Sequence, residues 1–179
     1  MTMGQGSSRD NVRDFAEVFT PPATVFEMLL LPDIRDVLED IDQPICDPCC
    51  GQGQFPAAAL VLKMFYNIDR LDGRTALRAL WHLYGIDIQQ ESVNECREHM
   101  FATLCDALEF LTGKKLTAEE IMYGWAIIER HFIQGDSLND WVECLERLGR
   151  HEEAERYRAK VAEEKKPKRK REERQLSLF

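Results

Sequence analysis

The chain has 179 residues, of which 44% are hydrophobic and 31% charged, and a net charge of −9. These proportions describe a single water-soluble domain with a tail, able to bury a real core. No apolar run approaches the ~18–20 residues a membrane span needs, and the polar first residues lack the apolar centre of a secretory signal, so the expected location is the cytoplasm.

Residues 1–14 read as a polar lead-in, expected to be mobile. Thr20-Pro21-Pro22 opens a helix, with Thr20 able to cap and Val25, Met28 and Leu29 at helical spacing. Ile45-Cys46-Asp47 is a short strand stopped by Pro48 and Gly51. A helix follows over 56–65, with Pro56 at its N-terminal edge, and then a loop over 67–74 with an Asp72-Gly73 turn. The next helix, 75–81, leads into a second buried strand, 83–87. Val93, Cys96, Met100, Leu104, Leu108 and Leu111 form the apolar stripe of a long helix that ends near Gly113. Thr117 and Glu120 make a capping box for the helix carrying Ile121, Trp125 and Ile128. The third strand candidate is 131–134, and beyond Leu138 the chain reads as helical and increasingly charged. Strands alternating with helices predict an α/β fold with a parallel sheet.

Six cysteines do not form a disulfide framework in this reading. Cys96, Cys105 and Cys144 sit in helical patterns as small hydrophobes, and Cys46 and Cys49 form a CxxC with no second ligand pair at zinc-ribbon spacing. Reduced, mostly buried thiols are expected, with no metal. The charge is uneven: residues 165–174 hold seven basic against two acidic residues, so the rest of the chain carries −14. Such a body repels phosphate, and DNA contact from this chain should run through the tail.

Ligands of open parallel sheets sit beyond the carboxyl ends of the strands. All three strand candidates are read as ending with an acid, Asp47, Asp87 and Asp136, which in register would ring a polar ligand with a cationic or hydroxylated surface. The run Asp47-Pro48-Cys49-Cys50-Gly51-Gln52-Gly53-Gln54-Phe55 lets the backbone turn tightly and approach a ligand closely. It lacks both GxGxxG and a P-loop Gly-Lys-Ser/Thr, so a phosphate site is a weak reading. On the glycines alone a plain strand-to-helix turn fits equally well.

That run resembles motif I of adenine-N6 DNA methyltransferases, Asp-Pro-x-Cys-Gly-x-Gly-x-Phe. Glu17-Val18-Phe19-Thr20-Pro21-Pro22 looks like their motif X, which precedes motif I in the subgroup that includes type I modification subunits. Tyr84-Gly85-Ile86-Asp87-Ile88 is similar to motif II, and Ile133-Gln134-Gly135-Asp136-Ser137-Leu138 to motif III. Four motifs in family order span residues 15–138. The resemblance implies a Rossmann-like methyltransferase fold over 15–150 that binds S-adenosylmethionine. It would place Thr20, Asp47, Pro48, Cys50, Gly51 and Gly53 around the methionine moiety, and Phe55 along the pocket. Asp87 would accept the ribose hydroxyls, Ile88 would pack on one adenine face, and Asp136 would accept from the adenine amino group. For Ile88 and Phe55 simple core packing is an equal alternative.

The family pattern then breaks. Members carry an Asn/Asp-Pro-Pro-Tyr/Phe motif that grips the flipped-out adenine. The seven prolines here include one adjacent pair, Pro21-Pro22, and it belongs to motif X. Asn139-Asp140-Trp141 reads instead as a helix start. The resemblance therefore implies an incomplete parallel sheet of about three strands, its first strand beside the missing half. Either a second chain supplies that half, or the helices after Leu138 shield the open edge. In both cases methyl transfer by the isolated chain is not expected, and no catalytic residue is assigned.

Residues 151–174 read as a charged helix, with Tyr157 and Val161 as its apolar points, followed by a basic linker. Residues 165–171 resemble a nuclear import signal, but DNA phosphates are the expected partner in a bacterial or phage setting; a solvated run without a role is the alternative. The end, Gln175-Leu176-Ser177-Leu178-Phe179, looks like the peptide by which bacterial polymerases and repair proteins bind the sliding clamp. The expectation is a clamp-tethered, split or degenerate methyltransferase relative. Its rivals are a non-enzymatic adaptor and a protein that blocks the clamp.

Overall fold

A computed structural model describes residues 20–164. The lead-in, the first residues of the motif X segment, the basic linker and the final pentapeptide lie outside the described residues. The chain divides between Gly135 and Asp136 into two compact units, and no described helix is long and apolar enough to cross a membrane.

The first unit is α/β. Its three strands, β1 (Ile45–Asp47), β2 (Leu83–Asp87) and β3 (Phe132–Gln134), form a parallel sheet in the order β1-β2-β3. Ahead of the sheet run α1 (Pro22–Leu29) and α2 (Pro32–Glu39). β1 reaches β2 through α3 (Gln54–Tyr66), a short 3-10 turn at Ile68–Arg70, and α4 (Gly73–Trp81). β2 reaches β3 through the long α5 (Gln90–Thr112) and α6 (Ala118–His131).

The strands are short; β2 is buried from Leu83 to Ile86 and β3 at Phe132 and Ile133, while the edge strand β1 is only partly buried. Register and alternation sort their side chains. Leu83 and Phe132 enter the main core with Leu60 and Met64 of α3 and Met100 and Leu104 of α5. Tyr84, Ile86 and Ile133 alternate to the opposite face and are buried there, where Tyr84 stacks on His131 at 4.4 Å between ring centres.

Local chemistry sets the ends. Thr117 and Glu120 form the capping box expected of them, worth about 1 kcal/mol. α5 stops at Gly113 in the left-handed conformation. Asp72 caps α4 by accepting Thr75 N–H at 2.8 Å, so that helix starts at Gly73 rather than Thr75. At α1 the capping position falls on Pro21, without a side-chain cap bond, and Pro22 takes the first turn; Thr20 is not the cap the sequence suggested.

One buried cation ties α3 to the approach to β1. Lys63 has no exposed surface, and its ammonium donates to the carbonyls of Val37, Asp40, Ile41 and Gln43 at 2.8–3.4 Å.

The second unit is a helical hairpin of α7 (Trp141–Arg147) and α8 (His151–Glu164), turning at Gly149, where φ is +75°. Cys144, Leu145, Leu148 and Ala154 are buried in it. Arg158 of α8 pairs with Glu146 of α7 at 2.7 Å.

Candidate functional site

At the carboxyl end of β1 lies a cavity of about 350 Å³. Its wall is built by two stretches far apart in sequence: Thr20, Val25 and Met28 from the start of the described chain, and the loop from Cys46 to Phe55. The loop is held by its backbone. Cys50 N–H donates to Ile86 O at 2.9 Å, which hooks the loop onto β2, and Gly53 N–H donates back to Cys50 O at 2.8 Å.

Two glycines are required here. Gly51 and Gly53 have φ of +50° and +86°, a region that costs other L-residues ~1–2 kcal/mol. At Gly53 a side chain also has no room, since a Cβ would lie 2.7 Å from Cys96 Sγ. The loop therefore rests directly on α5. One turn further along that helix, His99 Nδ1–H donates to Gln52 O at 3.0 Å, a second brace from α5.

The acids do not form a ring in register. Asp47 is level with Gly85, and Asp87 with Gln134, so Asp87 lies two residues, ~6.6 Å, further along the sheet. Asp47 accepts Cys49 N–H at 3.1 Å. Burial pushes its carboxyl pKa up, and the nearby Asp87 adds to the rise. Asp87 receives two backbone amides, Gly51 N–H on Oδ2 and Gln89 N–H on Oδ1, both at 2.9 Å. It thus fixes the glycine turn whatever else it binds.

β3 closes at Gln134, short of Asp136, and Gly135 N–H still donates to Asp87 O at 2.9 Å, one more bond to the end of β2. Asp136 belongs to the second unit. There its Oδ1 accepts Leu138 and Asn139 N–H, each at 3.0 Å, and its Oδ2 accepts Asn139 Nδ2 at 2.7 Å. The Asn139 bonds, side chain first, hold its pKa below the usual carboxylate value.

Thr20, Asp47, Pro48, Cys50, Gly51 and Phe55 thus meet at one cavity. Gly53 sits behind the wall, and Asp87 adjoins it through Gly51. Ile88 is 55% exposed, which removes core packing as its role, whereas Phe55 both lines the cavity and packs against the core. Cys50 is 5% exposed; its hydrogen bond with Cys96 and its burial push the thiol pKa far up, so this is a packing thiol. Cys46 is partly exposed and Cys49 exposed, and none of the six cysteines is in a disulfide. Among the described residues no group of three or more His, Cys, Asp or Glu is placed to hold a metal ion.

The sequence reading missed Met28 on the cavity wall and His99 beneath it. Met28 could have been found from its helical spacing to Val25 behind the Pro21-Pro22 pair; nothing in the sequence marks His99. Comparison with protein-family models, curated proteins and solved structures returns no match.

Proposed function

We propose that this chain binds S-adenosylmethionine, as a split or catalytically degenerate relative of the adenine-N6 DNA methyltransferases tethered to DNA through the sliding clamp. The observation that carries the reading is that Thr20 of the motif X-like run, with Met28 beyond that run, faces the same space as Asp47, Gly51 and Phe55 of the motif I-like run. A volume of about 350 Å³ lies at the lower end of the ~300–1,000 Å³ range of small-molecule sites.

The methionine moiety, with its ammonium and sulfonium, suits a cavity that carries Asp47 beside the first turn of α3. Its carboxylate suits the helix N-terminus at Gln54 and Phe55. Ribose and adenine would extend past this wall toward Asp87 and Ile88, whose exposed side chain is free of the core. A Rossmann-like sheet lacking its second half fits the three-strand order with β1 at one edge. The absent adenine-gripping motif assigns catalysis to another chain or to none.

Titration calorimetry with S-adenosylmethionine and S-adenosylhomocysteine tests the reading, and binding that weakens in Asp87→Ala is expected. No heat at millimolar ligand would overturn it in favour of an adaptor. Labelled methyl groups should not pass to DNA with the isolated protein, and transfer would require an adenine site of another design.

A further inference from the structure

The packed helices α3 and α5 leave an apolar trough on their outer side. Its main hollow, about 680 Å³, is lined by Val61, Leu62 and Phe65 of α3 and by Ala107, Phe110 and Leu111 of α5. Phe65 is 53% exposed and Phe110 is 89% exposed. A smaller hollow of about 190 Å³ shares Val61 and Thr103 with it and runs on beside α3 to Gln54. From Gln54 to Phe65 the strip is about 17 Å long at the helical rise, roughly three turns of a partner helix. Large apolar side chains in a continuous strip of this kind mark a binding surface rather than scattered surface hydrophobes. A small ligand needs enclosure on most of its surface, and a wall that ends in so open a phenylalanine encloses nothing.

Charge selects the class of partner. On α5, Glu91, Glu95, Glu98, Asp106 and Glu109 are all exposed. With Ala102 they follow one another in steps of three or four residues and so form one stripe along the helix. Asp106 of that stripe lines the trough itself, and Glu109 meets Lys115 at 3.2 Å beyond the end of the helix. The basic residues of α3 and α5 are turned away. Lys63 has no exposed surface, and Arg97 donates to Phe132 O at 2.9 Å and to Glu129 O at 3.0 Å, on the β3 side. We propose that the trough docks a cationic amphipathic helix of a different protein. Its apolar face lies on Phe65 and Phe110, and its Lys or Arg residues lie along the acidic stripe. A second copy presents the same trough, whose α3 and α5 offer no cation to meet the stripe, and DNA or an anionic membrane is repelled by it. The proposal does not rest on the ligand reading of the cavity at β1.

The experiment uses the full chain and two labelled synthetic peptides of about 18 residues, long enough to be helical. Both carry leucine at i, i+3, i+4 and i+7; one has lysine at the other positions and the second has glutamate. Fluorescence anisotropy should show the Leu/Lys peptide binding, and the Leu/Glu peptide binding roughly tenfold more weakly or worse. Phe110→Gln should weaken the Leu/Lys peptide by about tenfold or more, as loss of an aromatic anchor does. The same change should leave the thermal melt unchanged, since Phe110 is solvent-facing in the free chain. Asp106→Lys should weaken the Leu/Lys peptide and strengthen the Leu/Glu one. Equal affinity for the two peptides, no binding of either, or affinities indifferent to Phe110→Gln would overturn the proposal. Dimers in analytical ultracentrifugation that Phe110→Gln dissolves would overturn it too, and give the trough to a second copy.

Discussion

Asp87 Oδ2 accepts the amide hydrogen of Gly51 at 2.9 Å, so a carboxylate at the end of β2 holds the glycine turn at the end of β1. Its other oxygen takes Gln89 N–H at 2.9 Å. Asp87→Ala therefore removes more than the proposed ligand contact. The apo protein should lose ~1–3 kcal/mol, because two amides lose a charged acceptor, and S-adenosylmethionine affinity should fall by a further ~1.5–3 kcal/mol. Thermal unfolding without ligand and calorimetry with it separate the two effects. An unchanged apo melting temperature would show that the turn does not depend on Asp87.

Asp47 is a carboxylate that folding disfavours. Its folded pKa is raised above the ordinary value of 3.8, burial being the main cause. The stability it contributes is complete below the unfolded pKa and is lost as pH rises through the folded one, so at neutral pH the ionised group is a net cost. Asp47→Asn keeps an oxygen to accept Cys49 N–H and removes the charge. The variant should melt higher than the parent at pH 7 and converge with it at pH 3, while ligand affinity falls. A variant that is less stable at pH 7 would mean that Asp47 serves the fold rather than a cationic ligand.

The first two strands were legible because their boundaries are local. Pro48 and Gly51 stop β1, and β2 has its predicted limits of Leu83 and Asp87. The Thr117–Glu120 box was legible for the same reason. Register was not, because it is set by contacts remote in sequence such as Cys50 N–H to Ile86 O, and so the level ring of acids dissolved into a stagger. Asp136 misled for a related reason: a strand end and a helix-entry turn present the same residue types, and here Asn139 claims its carboxylate. α2 was overlooked although Pro32 and Asp33 are ordinary start signals and Ile34, Val37 and Leu38 fall at helical spacing; its eight residues make barely two turns between α1 and β1.

Lys63 gave no warning at all, being one polar residue in an apolar run whose four acceptors come from residues 37–43. Lys63→Met should destabilise the protein by about 1–3 kcal/mol or more, because buried carbonyls lose their donor. Burial pushes the Lys63 pKa down to about 8, against 10.5 for the free group, with Asp40 and Asp42 opposing. Between those values the unfolded chain holds a proton that the folded one has released. The stability from this group is thus complete above 10.5 and lost as pH falls through about 8. The melting-temperature gap between parent and Lys63→Met should widen from pH 7 to pH 10; a gap that narrows would mean that the four carbonyls favour the ammonium by more than its burial costs.

Deleting residues 175–179 should abolish binding to a bacterial sliding clamp and leave ligand affinity and melting temperature unchanged. Ten residues rich in Lys, Arg and Glu separate that pentapeptide from α8, so its removal leaves the described helices and the β1 cavity intact in sequence. Burying Leu178 and Phe179 in a partner's pocket is worth roughly 1.5–3 kcal/mol each. With Gln175 and Leu176 adding contacts, and after the cost of ordering a free end, the sum points to a Kd on the order of micromolar. Next to a clamp that encircles DNA, the basic run over 165–171 would lie close to phosphate and add avidity that falls with salt. Surface plasmon resonance on immobilised clamp, with and without threaded DNA and at two salt concentrations, resolves both contributions. Should the truncated protein bind the clamp as tightly as the full chain, or melt at a lower temperature, the pentapeptide is not a docking peptide.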